Sequence, residues 1–152
     1  HLPPPSPVKI SIPELFGETF KLFEKESENV KLSIHYPDIE ICADPSLIRV
    51  VLNNLLRNAI QSAMAHKDGR VELRATLCEN CPQITVTDNG DGIPENRIED
   101  IFSPFYSAKE RGNGIGLCLS RQIMMLHGGE LTVESNPKNR LTIFTIKFPA
   151  KQ

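Results

Sequence analysis

Apolar residues recur at helical spacing at Phe16, Phe20, Leu22 and Phe23, which predicts an amphipathic helix over 13–28. Residues 30–36 and 40–43 alternate apolar and polar as short strands, with Pro37-Asp38 as the turn between them. Asp44-Pro45-Ser46 is a helix-start signal, a capping side chain followed by a proline whose missing N–H costs nothing in the first turn. The helix it opens runs from Leu47 to Ala65, with Leu52, Leu55, Leu56, Ala59, Ile60 and Ala63 as its apolar stripe. Strand patterns at 71–77 and 83–87 form a hairpin, and periodicity then fails from 88 to about 114. A second helix fits 115–126 and stops at His127-Gly128-Gly129, and strands at 130–134 and 141–148 complete the pattern. Mixed helix and antiparallel strand in this order predict an α+β fold. It is a two-layer α/β sandwich whose mixed, mostly antiparallel sheet is covered on one face by helices.

Composition narrows the classes. With 152 residues the chain suits one domain with a real core, and 24% charged against 39% hydrophobic residues is ordinary for a globular protein. No apolar run approaches the roughly 20 residues of a membrane helix. A net charge of −2 disfavours a nucleic-acid binder held by phosphate contacts. Five prolines within 1–13 favour an extended lead-in, read as a linker before a domain at 14–152. Cys42, Cys78, Cys81 and Cys118 are too scattered for a disulfide scaffold, and they point to a reducing compartment. Cys78-Glu79-Asn80-Cys81 is the only CxxC, and it reads more simply as a hairpin turn than as a redox or zinc site. Seven of the nine glycines fall between 90 and 129, so the backbone does something unusual there.

Three segments carry candidate chemistry. Asn54 and Asn58 share one helix face a turn apart, and amide oxygens are hard, neutral ligands that suit Mg²⁺; a solvated polar face or a side-chain network is the alternative. Asp88-Asn89-Gly90-Asp91-Gly92-Ile93 follows a strand, where a carboxylate can accept from an exocyclic amine such as adenine's and two glycines allow close approach. A simple turn explains that spacing as well, whereas a calcium loop does not fit it. Gly112-Asn113-Gly114-Ile115-Gly116-Leu117 runs into a helix, so its backbone amides can face an anion, with Lys109 and Arg111 just ahead to reach phosphate oxygens. Phe102, Pro104, Phe105 and Tyr106 give the intervening loop an apolar foothold, as a lid would have.

The order of these motifs resembles the nucleotide-binding domain of sensor histidine kinases, the Bergerat-type (GHKL) ATP fold shared with gyrase, Hsp90 and MutL. The likeness runs from about Asp44 to Pro149, and residues 101–109 and 114–117 are most similar to the nitrogen-regulation branch. It implies an ATP-binding catalytic domain that uses Mg²⁺ and passes the γ-phosphoryl group to a histidine on another domain. By the same likeness Asn58 is the metal ligand, Asp88 the adenine-reading carboxylate, and Gly90, Gly92 and Ile93 the purine-pocket walls. Lys109, Arg111, Gly112, Gly114, Ile115, Gly116 and Leu117 form the lid and the phosphate-facing turn, and Thr142 lies near adenine. Asn54 stands where the gyrase and Hsp90 branches carry a general-base Glu. An amide cannot take a proton, so little ATP hydrolysis is expected.

Two departures accompany the likeness: Leu141 stands where Gly usually precedes the adenine-side Thr, and Gln61-Ser62 replace a common Lys-Tyr. None of His1, His35, His66 or His127 sits in the context of a phosphoacceptor. The chain is therefore expected to be an isolated, monomeric and cytoplasmic catalytic domain. Its partners are an upstream dimerisation and phosphoacceptor domain and, indirectly, a response regulator, with any membrane anchor in segments outside this chain. A serine kinase of the anti-sigma-factor type and a degenerate module that only senses nucleotide or docks a partner are the alternatives.

Overall fold

The computed structural model describes residues 2–25, 29–104 and 116–150. Its elements run β1 (Val8–Ser11), α1 (Ile12–Phe23), β2 (Lys31–His35), β3 (Glu40–Ala43), α2 (Pro45–Ala63), β4 (Arg70–Cys78), β5 (Cys81–Asp88), α3 (Gly116–Leu126), β6 (Glu130–Asn136) and β7 (Leu141–Lys147). Five strands form one sheet in the order β2-β4-β5-β7-β6. Only β2 and β4 are parallel; the other pairs are antiparallel, as the alternating patterns require. One row of side chains on this sheet is buried: Val71 and Leu73 on β4, Ile84 and Val86 on β5, Phe144 and Ile146 on β7. Leu52, Leu55, Leu56 and Ala59 of α2 and Ile123 and Met124 of α3 belong to the same core cluster. Each buried Leu or Ile contributes about 1.5–3 kcal/mol, so the two-layer packing dominates the stability of the domain.

The helix starts follow from their caps. The Asp44 carboxylate accepts from the Ser46 and Leu47 amides at 3.0 and 3.3 Å, and Pro45 occupies the first turn of α2. Ser11 caps α1, whose buried stripe is Ile12, Leu15, Phe16, Thr19 and Phe23. Leu22, expected on that stripe, is 52% exposed, and Thr19 enters instead by donating its hydroxyl proton to the Leu15 carbonyl at 2.7 Å. Gly17 sits mid-helix with nothing within 4 Å of a notional Cβ. Gly17→Ala is expected to raise stability by about 0.5–1 kcal/mol through lower backbone entropy in the unfolded chain. A lower melting temperature for that variant would contradict the open surface seen here.

At the end of α3, Gly128 takes a φ of 73°, the Gly128 amide donates to Met125, and the Gly129 amide donates to Met124 at 3.0 Å. This is the Schellman ending that a glycine just beyond a helix allows. His127 joins the two helices of the layer. Its Nε2 accepts from the Asp44 amide at 3.0 Å, while its Nδ1 is 2.8 Å from the Ile123 carbonyl, which places the ring proton on Nδ1.

Two features depart from the sequence pattern. Val8–Ser11, inside the proline-rich lead-in, is a strand that pairs antiparallel with β3 in a separate two-stranded sheet. The segments on either side of Pro37-Asp38 therefore belong to different sheets rather than to one hairpin. Ile41 and Ala43 of β3 turn into the core and stand in register with Ile10 and Val8 of β1.

Candidate functional site

The C-terminal end of β5 meets the N-terminal end of β7, and the register sets Asp88 opposite Thr142. Both lie in the row that faces the helices and both are buried, at 4% and 3% exposure. Asp88 ends the alternation Pro82, Ile84, Val86, so a carboxylate occupies what would otherwise be a core position. Its Oδ1 accepts from the Gly90 amide at 2.9 Å, which folds the chain sharply after the strand.

Glycine is required twice in this loop. A Cβ on Gly90 would overlap Ser62 of α2, within 2.8 Å of its backbone carbon. Gly92 has φ +82° and lies where a Cβ would come 2.8 Å from Pro137 Cα. The loop is thus pressed between α2 on one side and the turn at 137–139 on the other. Ile93 is held next to it, its amide donating to Ser135 Oγ at 2.8 Å.

Along α2, Asn54, Asn58 and Ser62 recur every fourth residue and share one flank. The Asn54 amide nitrogen donates to the Gly116 carbonyl at 3.1 Å and to Ser120 Oγ at 3.2 Å, so it ties α2 to the first turn of α3. Ser62 backs Gly90. Asn58, half-buried, therefore stands midway between the glycine loop after β5 and the start of α3. Of the second glycine segment, Gly116 and the buried Leu117 open α3; Lys109, Arg111, Gly112, Gly114 and Ile115 lie outside the described residues. The foothold below it is Ile101, 2% exposed, with Phe102 under the Arg121 guanidinium at 4.5 Å. Phe105 and Tyr106 also lie outside the described residues.

Residues 43–152 match the family model described as histidine kinase-, DNA gyrase B- and HSP90-like ATPase. The chain belongs to this family. Sporulation kinase A of Bacillus subtilis (strain 168) is 33% identical over 146 residues, covering 93% of this chain and 24% of that kinase. The chain thus spans about a quarter of that relative's length. The nucleotide-free catalytic domain of histidine kinase ThkA superposes with a TM-score of 0.85 at 29% identity, covering 95% of each chain. ThkA solved in complex with the response regulator protein TrrA gives 0.81 at 28% identity, covering 97% of this chain and 42% of that one. The unit described here is accordingly a domain of this ATPase family, similar in fold to the catalytic domain of histidine kinase ThkA, and the family implies ATP binding.

Among the described residues of this ATPase domain, no cluster of three or more His, Cys, Asp or Glu side chains could hold a metal by itself. The donors near the helix layer are neutral amides, which suits a cation that arrives with its own phosphate charge and keeps part of its water shell. In that sense the residues present fit Mg²⁺ carried by a nucleotide.

Sequence reading missed Ser135 and a three-loop clasp. Ser135 pairs with Thr142 in register, accepts from Ile93, and lies 2.8 Å from Thr142 Oγ1 and 3.1 Å from the Leu141 carbonyl. Its signal was a polar residue continuing the inward row of Leu131 and Val133, legible only once the β6–β7 pairing is known. In the clasp, Arg140 donates to both Asp68 oxygens at 2.8 and 3.3 Å and to the Asn89 carbonyl at 3.1 Å. Asn89 in turn accepts from the Arg70 amide at 2.6 Å and donates to the Asp68 carbonyl at 2.8 Å. Three loops are thereby locked behind the glycine segment that follows Asp88.

The Arg140 guanidinium holds the Asp68 carboxyl below its ordinary value of 3.8, and the Ser6 amide does the same for Asp44. A carboxyl with a lowered folded-state pKa contributes stability that is complete above 3.8 and lost as pH falls through the folded value beneath it. The melting-temperature gap between wild type and Asp68→Asn is expected to be widest near neutrality and to close below about pH 3.8. A gap independent of pH would contradict the charged clasp.

Proposed function

We propose that this domain binds Mg·ATP between the sheet and the α2–α3 layer and donates the γ-phosphoryl group to a histidine on a separate helical domain. The observation that carries the reading is the convergence of a buried carboxylate, Asp88, with Thr142 and the glycine loop that packs against Ser62, one turn beyond Asn58 on α2. Asp88 accepts a hydrogen bond from the adenine amine, Thr142 and Ser135 supply hydroxyls beside it, and Gly90, Gly92 and Ile93 wall the purine. Asn58 offers its amide oxygen to the metal, which when bound neutralises phosphate charge. Lys109, Arg111, Gly112, Gly114, Ile115, Gly116 and Leu117 close over the phosphates. Transfer then rests on positioning and charge neutralisation rather than on a covalent step by the protein.

Asn54 belongs to the clamp between α2 and α3 in this reading. With an amide and no carboxylate there, water is not activated. The nitrogen-regulation-like branch rests on the motifs at 101–109 and 114–117, most of which lie outside the described residues. The proposed arrangement places a dimerisation and phosphoacceptor domain upstream of β1 and a response regulator as the onward acceptor. The cytoplasm is the expected compartment, and among the described residues no helix is long and apolar enough to cross a membrane.

The test is phosphotransfer from radiolabelled ATP to an added His-bearing helical hairpin domain from a sensor kinase, with and without Mg²⁺. Label on histidine, dependent on Mg²⁺ and accompanied by slow release of free phosphate, is the expected result. Label on serine would favour the anti-sigma-type kinase. ATP binding without transfer to any acceptor would favour a nucleotide-sensing module. Brisk ATP hydrolysis abolished by Asn54→Ala would overturn the clamp assigned to Asn54.

A further inference from the structure

The Cys78/Cys81 pair takes no part in the nucleotide site. Glu79 and Asn80 alone join β4 to β5, with φ of 51° and 66°, the left-handed pair of a tight two-residue hairpin. The register sets Cys78 directly opposite Cys81, so their side chains leave the same face of the sheet. Positions facing each other across an antiparallel pair have Cα atoms about 4.5–5.5 Å apart, inside the range of about 4.4–6.8 Å that disulfides span. Both thiols are free in this structure; Cys78 is exposed and Cys81 half-buried. Beside them opens a cleft of about 400 Å³, lined also by Gln83, the α3-ending Gly128 and Gly129, Glu130 and Lys147. Cys42, by contrast, faces Lys9 across its strand pair, and Cys118 sits on α3, so neither has a thiol partner in register.

We propose that Cys78 and Cys81 form a reversible dithiol–disulfide site whose reactant is a low-molecular-weight disulfide. The exposed Cys78 thiolate attacks one sulfur of that disulfide, the S–S bond breaks, and one small thiol leaves with a proton. The Cys81 thiolate then attacks the Cys78 sulfur and expels the second small thiol. Two protein thiols are oxidised by two electrons, one small disulfide is reduced to two thiols, and the two thiol protons end on the leaving groups. The hairpin holds the second sulfur at hand, so internal closure outruns accumulation of the mixed disulfide. Asp88 lies at the opposite end of β5, roughly 24 Å away at about 3.4 Å per residue, so the site is independent of the nucleotide reading.

The experiment equilibrates the chain with oxidised and reduced glutathione at a series of ratios, with and without urea, followed by acid quench, alkylation and mass mapping. The expected product has lost about 2 Da and carries a Cys78–Cys81 cross-link, with Cys42 and Cys118 alkylated. Closure is expected to be at least tenfold more favourable in the native chain than in urea. Cys81→Ser is expected to stop at a glutathione adduct on Cys78, and Mg·ATP affinity to stay within twofold on oxidation. Glutathione adducts on both cysteines without a cross-link would overturn the proposal, as would closure no more favourable in the native chain than in urea.

Discussion

Asp88→Asn is expected to weaken Mg·ATP binding by about 10- to 100-fold while leaving the fold intact. The carboxylate is 4% exposed and sits at the inner end of β5, so a ligand contact there is made out of bulk water. Hydrogen bonds to a charged group contribute about 1.5–3 kcal/mol, which corresponds to that range in affinity. The amide oxygen of Asn can still accept from the Gly90 amide, the bond that shapes the loop at 2.9 Å, so the melting temperature should change little. The result separates a ligand role from a folding role. Unchanged affinity would remove Asp88 from the site, and a collapsed melting transition would make it a structural residue.

Gly90→Ala is expected to destabilise the domain by about 1–3 kcal/mol, as overpacking does, and to lower the melting temperature by roughly 2–4 °C per kcal/mol. The new methyl group would meet the Ser62 side chain and also its backbone carbon at 2.8 Å and oxygen at 2.7 Å. Side-chain rotation can relieve the first contact but not the other two. The double variant Gly90→Ala with Ser62→Ala is therefore expected to recover only part of the loss. Because Ser62 lies one turn beyond Asn58, any retreat of α2 from the loop also widens the proposed nucleotide cleft. Weakened ATP binding should accompany the lower stability. Full recovery in the double variant would show that the backbone contact does not govern this position.

Much of this arrangement was legible in the residues, for identifiable reasons. The start of α2 was readable because Asp44-Pro45-Ser46 acts locally through its own amides, and its stripe because six positions from Leu52 to Ala63 obey one period, which Ile48 and Val51 extend in the structure. The hairpin at Glu79-Asn80 was readable because both strands alternate cleanly into a two-residue turn. Strand β1 was not, since its signal lies among prolines and its partner, β3, is some thirty residues away. Ser135 and Arg140 escaped for the same reason: their contacts are set by register and by loop placement across the sheet, which no local pattern carries. Leu22 misled because Phe16, Phe20 and Phe23 suggested a stripe that tertiary packing rotated toward Leu15 and Thr19.

The sheet also carries a shallow cavity of about 450 Å³ lined by Lys31, Ser33, His35, Glu72, Thr87 and Leu141, which reaches Asp88 and Asn89 at the end of β5. This gives the account its most direct test, a backbone amide NMR titration with a non-hydrolysable ATP analogue and Mg²⁺. Saturable shifts concentrated at Asn58, Ile93, Ser135 and Thr142, with Ser33 and Glu72 unmoved, are the result the account predicts. Shifts confined to the Lys31–Glu72 face, or none that saturate, would contradict it.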